Sequence, residues 1–256
     1  MDAKKEKIPL LRIRETLDDH LAKKEYEKAE NQLAYWLDEA KKKEDESGEV
    51  AILNELMGLY RKLNKKDDAL RVITEAVERI DVYRMNDTIT AASTYTNVAA
   101  VYKAFGDFFR SIAFYAKAKT ILEKELTPGD PRLANLYNKY ALALTDAGEY
   151  SKALLMYKNA LDIMGTSKVK NGELDCAVTY LNIAKLYESK EGMVRAEDKI
   201  YDFLDKAYEA LINDGLPKDA YFKMVVGKCI PVFDYFGQFL RSSELKNLLV
   251  SEEEQK

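Results

Sequence analysis

Histidine, cysteine and tryptophan are nearly absent from this chain, which has 1 His, 2 Cys and 1 Trp among 256 residues. A transition-metal centre needs a His/Cys cluster, and none can be assembled. His20 stands between Asp19 and Leu21 on a charged helix face, with no serine or cysteine placed near it by pattern. A general base with no nucleophile or substrate proton in reach has nothing to act on. Cys176 and Cys229 lie 53 residues apart, which fits no metal or redox spacing. They read as reduced, partly buried thiols, because free cysteine behaves as a small hydrophobe. The phosphate-binding pattern Gly-x-x-x-x-Gly-Lys-Ser/Thr is missing. Carboxylates are plentiful, but they fall on predicted solvent faces and no two are pinned together by spacing. The chain therefore reads as a protein without a catalytic set, a metal or a cofactor, and not as an enzyme.

Two further absences narrow the setting. No apolar run approaches membrane-spanning length. The opening Met1-Asp2-Ala3-Lys4-Lys5-Glu6-Lys7 leads into no apolar segment, so no signal peptide is expected and the location expected is cytoplasmic. An excess of positive charge is also missing. With Lys+Arg 40 against Asp+Glu 44 the net charge is −4. Nucleic-acid binders usually carry a basic balance, so neither nucleic acid nor membrane is an expected partner.

What the chain has is a repeat. Only 5 Pro and 11 Gly are present, mostly at predicted turns, in a sequence that is 47% apolar and 33% charged. Shifting the stretch from Tyr95 to Ile163 by 42 residues brings Tyr95 onto Tyr137, Ala99 onto Ala141, Gly106 onto Gly148 and Phe108 onto Tyr150. Tyr115 then meets Tyr157, Ala118 meets Ala160 and Ile121 meets Ile163. Small residues let two helices approach, and the aromatics fill the space between neighbouring pairs. Self-similarity at a fixed period is the signature of stacked helix pairs.

This order of small residue, Tyr, Gly-x-aromatic, small residue, aromatic and Ala resembles the tetratricopeptide repeat. The usual unit has 34 residues; eight more are about two helical turns, one for each helix. The longer unit is similar to the repeats of kinesin light chains and their bacterial relatives, as is the turn Leu126-Thr127-Pro128-Gly129-Asp130-Pro131. The resemblance implies an all-α, right-handed superhelical solenoid of antiparallel helix pairs. It implies one array over 1–256, with repeats at about 8–45, 47–83, 87–125, 130–165, 172–213 and a partial sixth at 217–250.

Along the chain, the first helix is expected from Ile8 to Ala22 with Pro9 in its first turn. A second starts near Tyr26 and carries Ala29, Leu33, Trp36 and Leu37 on one face. The charge run Lys41-Lys42-Lys43-Glu44-Asp45-Glu46 reads as a solvated helix end, and Ser47 as the next N-cap. Asn64 replaces the turn glycine of later repeats, being the next-best residue for a left-handed position. Asn86 or Asp87 is expected to cap the third repeat, and Asp130, followed by Pro131, the fourth. The fifth repeat has a looser turn over Glu188 to Val194, and the fit of Ile200, Leu204 and Ala207 to its second helix implies an insertion of about four residues. Pro231 should kink its helix or lie near its start. Leu240 to Leu249 reads as a closing helix, and the tail 251–256 as frayed. Tyr102, Tyr115, Tyr157 and Tyr187 sit at packing positions and read as core.

The resemblance also implies that the first helix of each pair lines the concave surface. Those helices carry Asn54, Asn97, Asn138 and Asn182, one per repeat. In the repeats of kinesin light chains and related bacterial receptors such asparagines clamp the backbone of an extended peptide. An amide offers a donor and an acceptor together, matching a peptide unit. The alternative is that each asparagine bonds across to the neighbouring helix and bridges repeats. Arg61, Lys103, Asn135, Thr145 and Lys185 are expected on the same face, where cations would suit an acidic segment or a C-terminal carboxylate. The Lys/Asn set of the chaperone-binding carboxylate clamp cannot be assembled in order. The function expected is a non-catalytic protein- or peptide-binding scaffold. Its alternatives are a peptide-sensing regulator or the regulatory region of a larger signalling protein. Exposed apolar faces on the terminal repeats would suit a homodimer.

Overall fold

The computed structural model describes residues 6–166 and 169–249. Among them the chain forms twelve α-helices and no strand. The chain divides into two compact units, one ending at Glu125 and the other starting at Leu126. The first unit holds α1 (Leu10–Ala22), α2 (Tyr26–Lys42), α3 (Glu46–Lys62), α4 (Lys66–Val82), α5 (Ile89–Ala104) and α6 (Phe108–Glu125). The second holds α7 (Pro131–Asp146), α8 (Tyr150–Met164), α9 (Gly172–Glu191), α10 (Glu197–Leu211), α11 (Ala220–Tyr235) and α12 (Phe239–Asn247). The helices α3 to α10 run 15 to 20 residues.

Each pair is joined by a turn with one residue of positive φ. Lys24, Asn64, Gly106, Gly148, Gly192 and Gly237 all have positive φ. In five of these turns the residue that follows bonds back five positions, as Lys65 N–H does to Tyr60 O and Glu149 N–H to Leu144 O. That is the Schellman closure, which satisfies the last carbonyls of the first helix and reverses the chain. Asn64 takes the left-handed conformation, φ 56°, as its short polar side chain allows.

Burial of one face per helix holds each unit. In the first, Ile13, Leu17, Leu33, Ile52, Leu53, Met57, Ile73, Val98 and Val101 form a continuous core, with Trp36 and Leu37 packed against it. In the second, Leu174, Leu181, Ile200, Leu204, Phe222, Val226 and Phe233 do the same. Ala29, Ala69, Ala76, Ala153, Ala160, Ala177 and Ala207 are fully buried where helix backbones approach. No helix of the described residues is long and apolar enough to cross a membrane.

Several local expectations are corrected. α1 starts at Leu10, with Pro9 just outside it. The charge run from Lys41 is not one solvated end, since Asp45 is buried and caps α3 in place of Ser47. Its carboxylate accepts N–H bonds from Gly48 and Ile8, both at 3.0 Å, and the Ser47 hydroxyl at 2.9 Å. Thr88, not Asn86 or Asp87, caps α5, accepting from Ala91 N–H; Asn86 instead accepts the Tyr95 hydroxyl at 3.2 Å. Asp130 caps α7 with Pro131 following, as expected. Pro231 lies well inside α11, where burial of Cys229, Ile230 and Phe233 outweighs the lost backbone bond. The closing helix is α12, Phe239–Asn247, and the tail 251–256 lies outside the described residues. His20 is half-buried rather than exposed, because the turn returns Glu25 to 3.0 Å from its Nδ1. Tyr187 is only half-buried, stacked on Phe203 at 5.8 Å.

Candidate functional site

The four asparagines divide by what they bond. In the first unit, Asn54 donates to Val50 O at 2.8 Å and to the Thr94 hydroxyl at 2.9 Å. Asn97 donates to Asn54 Oδ1 at 2.8 Å. Asn54, Thr94 and Asn97 thus bridge α3 and α5, and much of their hydrogen-bonding capacity is used within the fold. In the second unit Asn138 accepts the Thr179 hydroxyl at 3.0 Å and approaches Met164 Sδ at 3.8 Å, bridging α7 and α9. Asn182 differs. It is half-buried, and among the described residues its amide has no hydrogen-bond partner.

Asn182 opens onto a cleft of about 330 Å³ within the second unit. The cleft is built from the last turn of α7, the middle of α8, the second half of α9 and the last residue of α11. From α7 come Thr145 and Asp146, and from α9 Asn182, Lys185 and Glu188. Tyr157 of α8 forms its inner wall and Tyr235 of α11 an edge. The Tyr235 hydroxyl donates to Glu188 at 2.6 Å and fixes that carboxylate. The Thr145 hydroxyl donates to Ala141 O at 2.9 Å. Tyr157 is fully buried, and its hydroxyl makes no well-aligned hydrogen bond, with the Thr145 hydroxyl beside it. Burial pushes its ionisation well above the ordinary tyrosine value, Thr145 beside it opposes the rise, and the Asp146 charge adds to it. The group stays a neutral hydroxyl at any physiological pH.

The other predicted residues do not meet there. Arg61 and Lys103 belong to the first unit, Arg61 exposed and Lys103 half-buried. Arg61 opposes the rise of buried Tyr115, whose ionisation is pushed up to about 12, chiefly by burial. Asn135 is exposed on α7, ten residues before the last-turn Thr145 of the cleft. Of the nine predicted residues the cleft brings together Thr145, Asn182 and Lys185. Among the described residues no cluster of His, Cys, Asp or Glu could hold a metal ion. Cys176 and Cys229 are free and buried, and burial pushes their thiols up to about 11 and about 12.

Residues 90–165 match a family model described as tetratricopeptide repeat. Over those residues the chain carries tetratricopeptide repeats. No curated protein sequence matches it significantly. Among solved structures it is similar to BtubC (BKLC) from P. vanneervenii, at TM-score 0.71 and 20% identity, over 81% of this chain and 82% of that one. It is also similar to a Rap protein complexed with Competence and Sporulation Factor, at TM-score 0.58 and 16% identity. A third is the apo form of the quorum sensor NprR from B. thuringiensis, at TM-score 0.58 and 17% identity. The chain covers 61% of each of the last two, which cover 93% and 92% of it.

The tetratricopeptide pattern missed Tyr157, Asp146, Glu188 and Tyr235 as cleft residues. Tyr157 is core, as its packing position implies, and it also lines the cleft. A signal for the bonded asparagines was present in the sequence. Thr94-Tyr95-Thr96-Asn97 recurs 85 residues on as Thr179-Tyr180-Leu181-Asn182, and Asn54 recurs 84 residues on as Asn138. The threonine of each copy bonds the asparagine of the preceding repeat.

Proposed function

We propose that the chain is a non-catalytic scaffold that binds an extended segment of a protein or peptide, and that the cleft of the second unit holds the main chain of that segment. The observation that carries this reading is the unbonded amide of Asn182, while its counterparts Asn54, Asn97 and Asn138 are engaged within the fold. An amide with a free donor and acceptor matches one peptide unit, and Lys185 and Thr145 beside it supply further polar contacts. Asn135, exposed on α7 of the same unit, is a secondary contact in this reading. The reduced, buried thiols fit a cytoplasmic location.

The test is capture of partners from native lysate by the full chain and by Asn182→Ala. A protein retained by the first and lost by the second, with equal melting temperatures, supports the cleft. Retention by both variants places binding elsewhere on the molecule. A second reading, a signal-binding regulator, is favoured by the likeness to a quorum sensor and to a Rap protein in complex with a signalling factor. Such a regulator changes shape on ligand binding, so small-angle scattering that is unchanged by a ligand engaging Asn182 rules it out.

A further inference from the structure

We propose that the cleft of the second unit selects a cationic side chain, a lysine or arginine of the bound segment; this rests on the cleft being the binding site. Four independent features point the same way. Two carboxylates, Asp146 and Glu188, line the cleft against one ammonium, Lys185. Glu188 is held in place by the Tyr235 hydroxyl, which engages one of its two oxygens. Lys185 is exposed on a flexible stem that can turn its charge to solvent.

The second feature is Tyr157, a cleft residue whose buried hydroxyl makes no well-aligned hydrogen bond, the Thr145 hydroxyl beside it donating instead to Ala141 O. An unsatisfied buried polar group is costly, and a guest that supplies its missing bond removes that cost. Its lone pairs can accept an N–H from an ammonium or guanidinium.

Helix ends supply the third. The cleft takes last-turn residues from α7 and α11 and residues near the end of α9, so it sits at the carbonyl ends of these helices. Helix C-termini carry partial negative charge that is usually matched by Lys or Arg in the last turn. α7 and α11 have no basic residue there, and α9 has only Lys190, which pairs with Glu191 at 3.2 Å. Neither α7 nor α11 supplies a cation to its own end.

Fourth, the acidic character is not a property of the repeat. Counting from the asparagines, the first-unit counterparts of Thr145 and Asp146 are Arg61 and Lys62, and that of Glu188 is Lys103. Asp146 against Lys62 and Glu188 against Lys103 are of opposite charge, so the sign at those positions is specific to each unit.

The experiment uses the isotope-labelled full chain and capped tripeptides acetyl-Ala-X-Ala-amide, with X as Arg, Lys, Gln or Glu, followed through the Asn182 side-chain amide and the Lys185 and Ser189 backbone amides. The Arg or Lys probe should bind ~5-fold or more tightly than the Gln probe at about 50 mM salt, with the Glu probe weakest, and the gap should narrow as salt rises. Asp146→Asn with Glu188→Gln should abolish the preference, and Lys185→Ala should strengthen binding of the Arg probe. Tyr157→Phe should weaken the Arg probe while the melting temperature holds or rises, a pair of effects that a purely structural hydroxyl would not give. A Glu probe that binds as tightly as the Arg probe overturns the proposal. Equal binding of all four probes, lost in Asn182→Ala, overturns the charge selection and leaves the main-chain clamp standing. Absence of any shift at Asn182 with every probe overturns both.

Discussion

Asp45 shows how much one side chain can carry in this fold. Burial alone would raise its carboxyl, but the N–H groups of Gly48 and Ile8 and the Ser47 hydroxyl outweigh that and hold it below the ordinary value. A depressed folded value means the stabilisation is present above the unfolded value of 3.8 and is lost as pH falls through the folded one. Asp45→Asn should therefore destabilise the protein by about 1–2 kcal/mol at pH 7. The gap between the variant and the parent, read from urea midpoints, should close as pH drops below 3.8. Gly48 sits within the same cap. A Cβ there would fall into contact with the Asp45 carboxylate and Ile8, so Gly48→Ala should cost more than the roughly 1 kcal/mol gain expected from helix propensity alone. A melting temperature at or above the parent would refute this.

At the scale of helices, the two units use one device. Thr94 and Thr179 each bond the asparagine of the preceding repeat, and each opens a Thr-Tyr-x-Asn segment. Aromatic stacking repeats alongside it. Tyr102 stacks on Phe114 at 5.8 Å under Arg110, and Tyr187 stacks on Phe203 at 5.8 Å under Lys199. Since Asn54 bridges α3 and α5, Asn54→Ala should cost about 1–3 kcal/mol by removing its bond to buried Thr94 and leaving the Asn97 amide unpaired. Amide exchange should quicken most in α3, α5 and their immediate neighbours, because repeat arrays are stabilised by nearest-neighbour contacts. Asn182→Ala, with no bond to lose, should leave exchange unchanged. An equal cost for the two substitutions would contradict the division between bonded and open asparagines.

For the molecule as a whole, the probes of unfolding are already separated by the sequence. Trp36 lies in the first unit, and Cys176 and Cys229 lie in the second, both buried with raised thiol ionisation. Tryptophan fluorescence therefore reports the first unit, and thiol labelling at pH 8 reports opening of the second. Asp45→Asn should shift the fluorescence midpoint in urea further than the labelling midpoint. Identical shifts would mean the two units melt as one cooperative body.

The helix pairs were legible from sequence alone, because a 42-residue period of small and aromatic residues admits few other packings. So were the left-handed turns at Asn64, Gly106 and Gly148, which need residues able to bear positive φ. The caps at Asp45 and Thr88 were not, since a run of adjacent polar residues offers several candidates and only packing chooses which one is buried. Nor was the cleft. Spacing put Asn54, Asn97, Asn138 and Asn182 on one kind of helix, but a period cannot tell a bonded amide from an open one. That depended on whether a threonine or a second asparagine stood opposite each. Tyr157 and the carboxylates Asp146 and Glu188 come from three helices, brought together only by the way these repeats stack within the second unit.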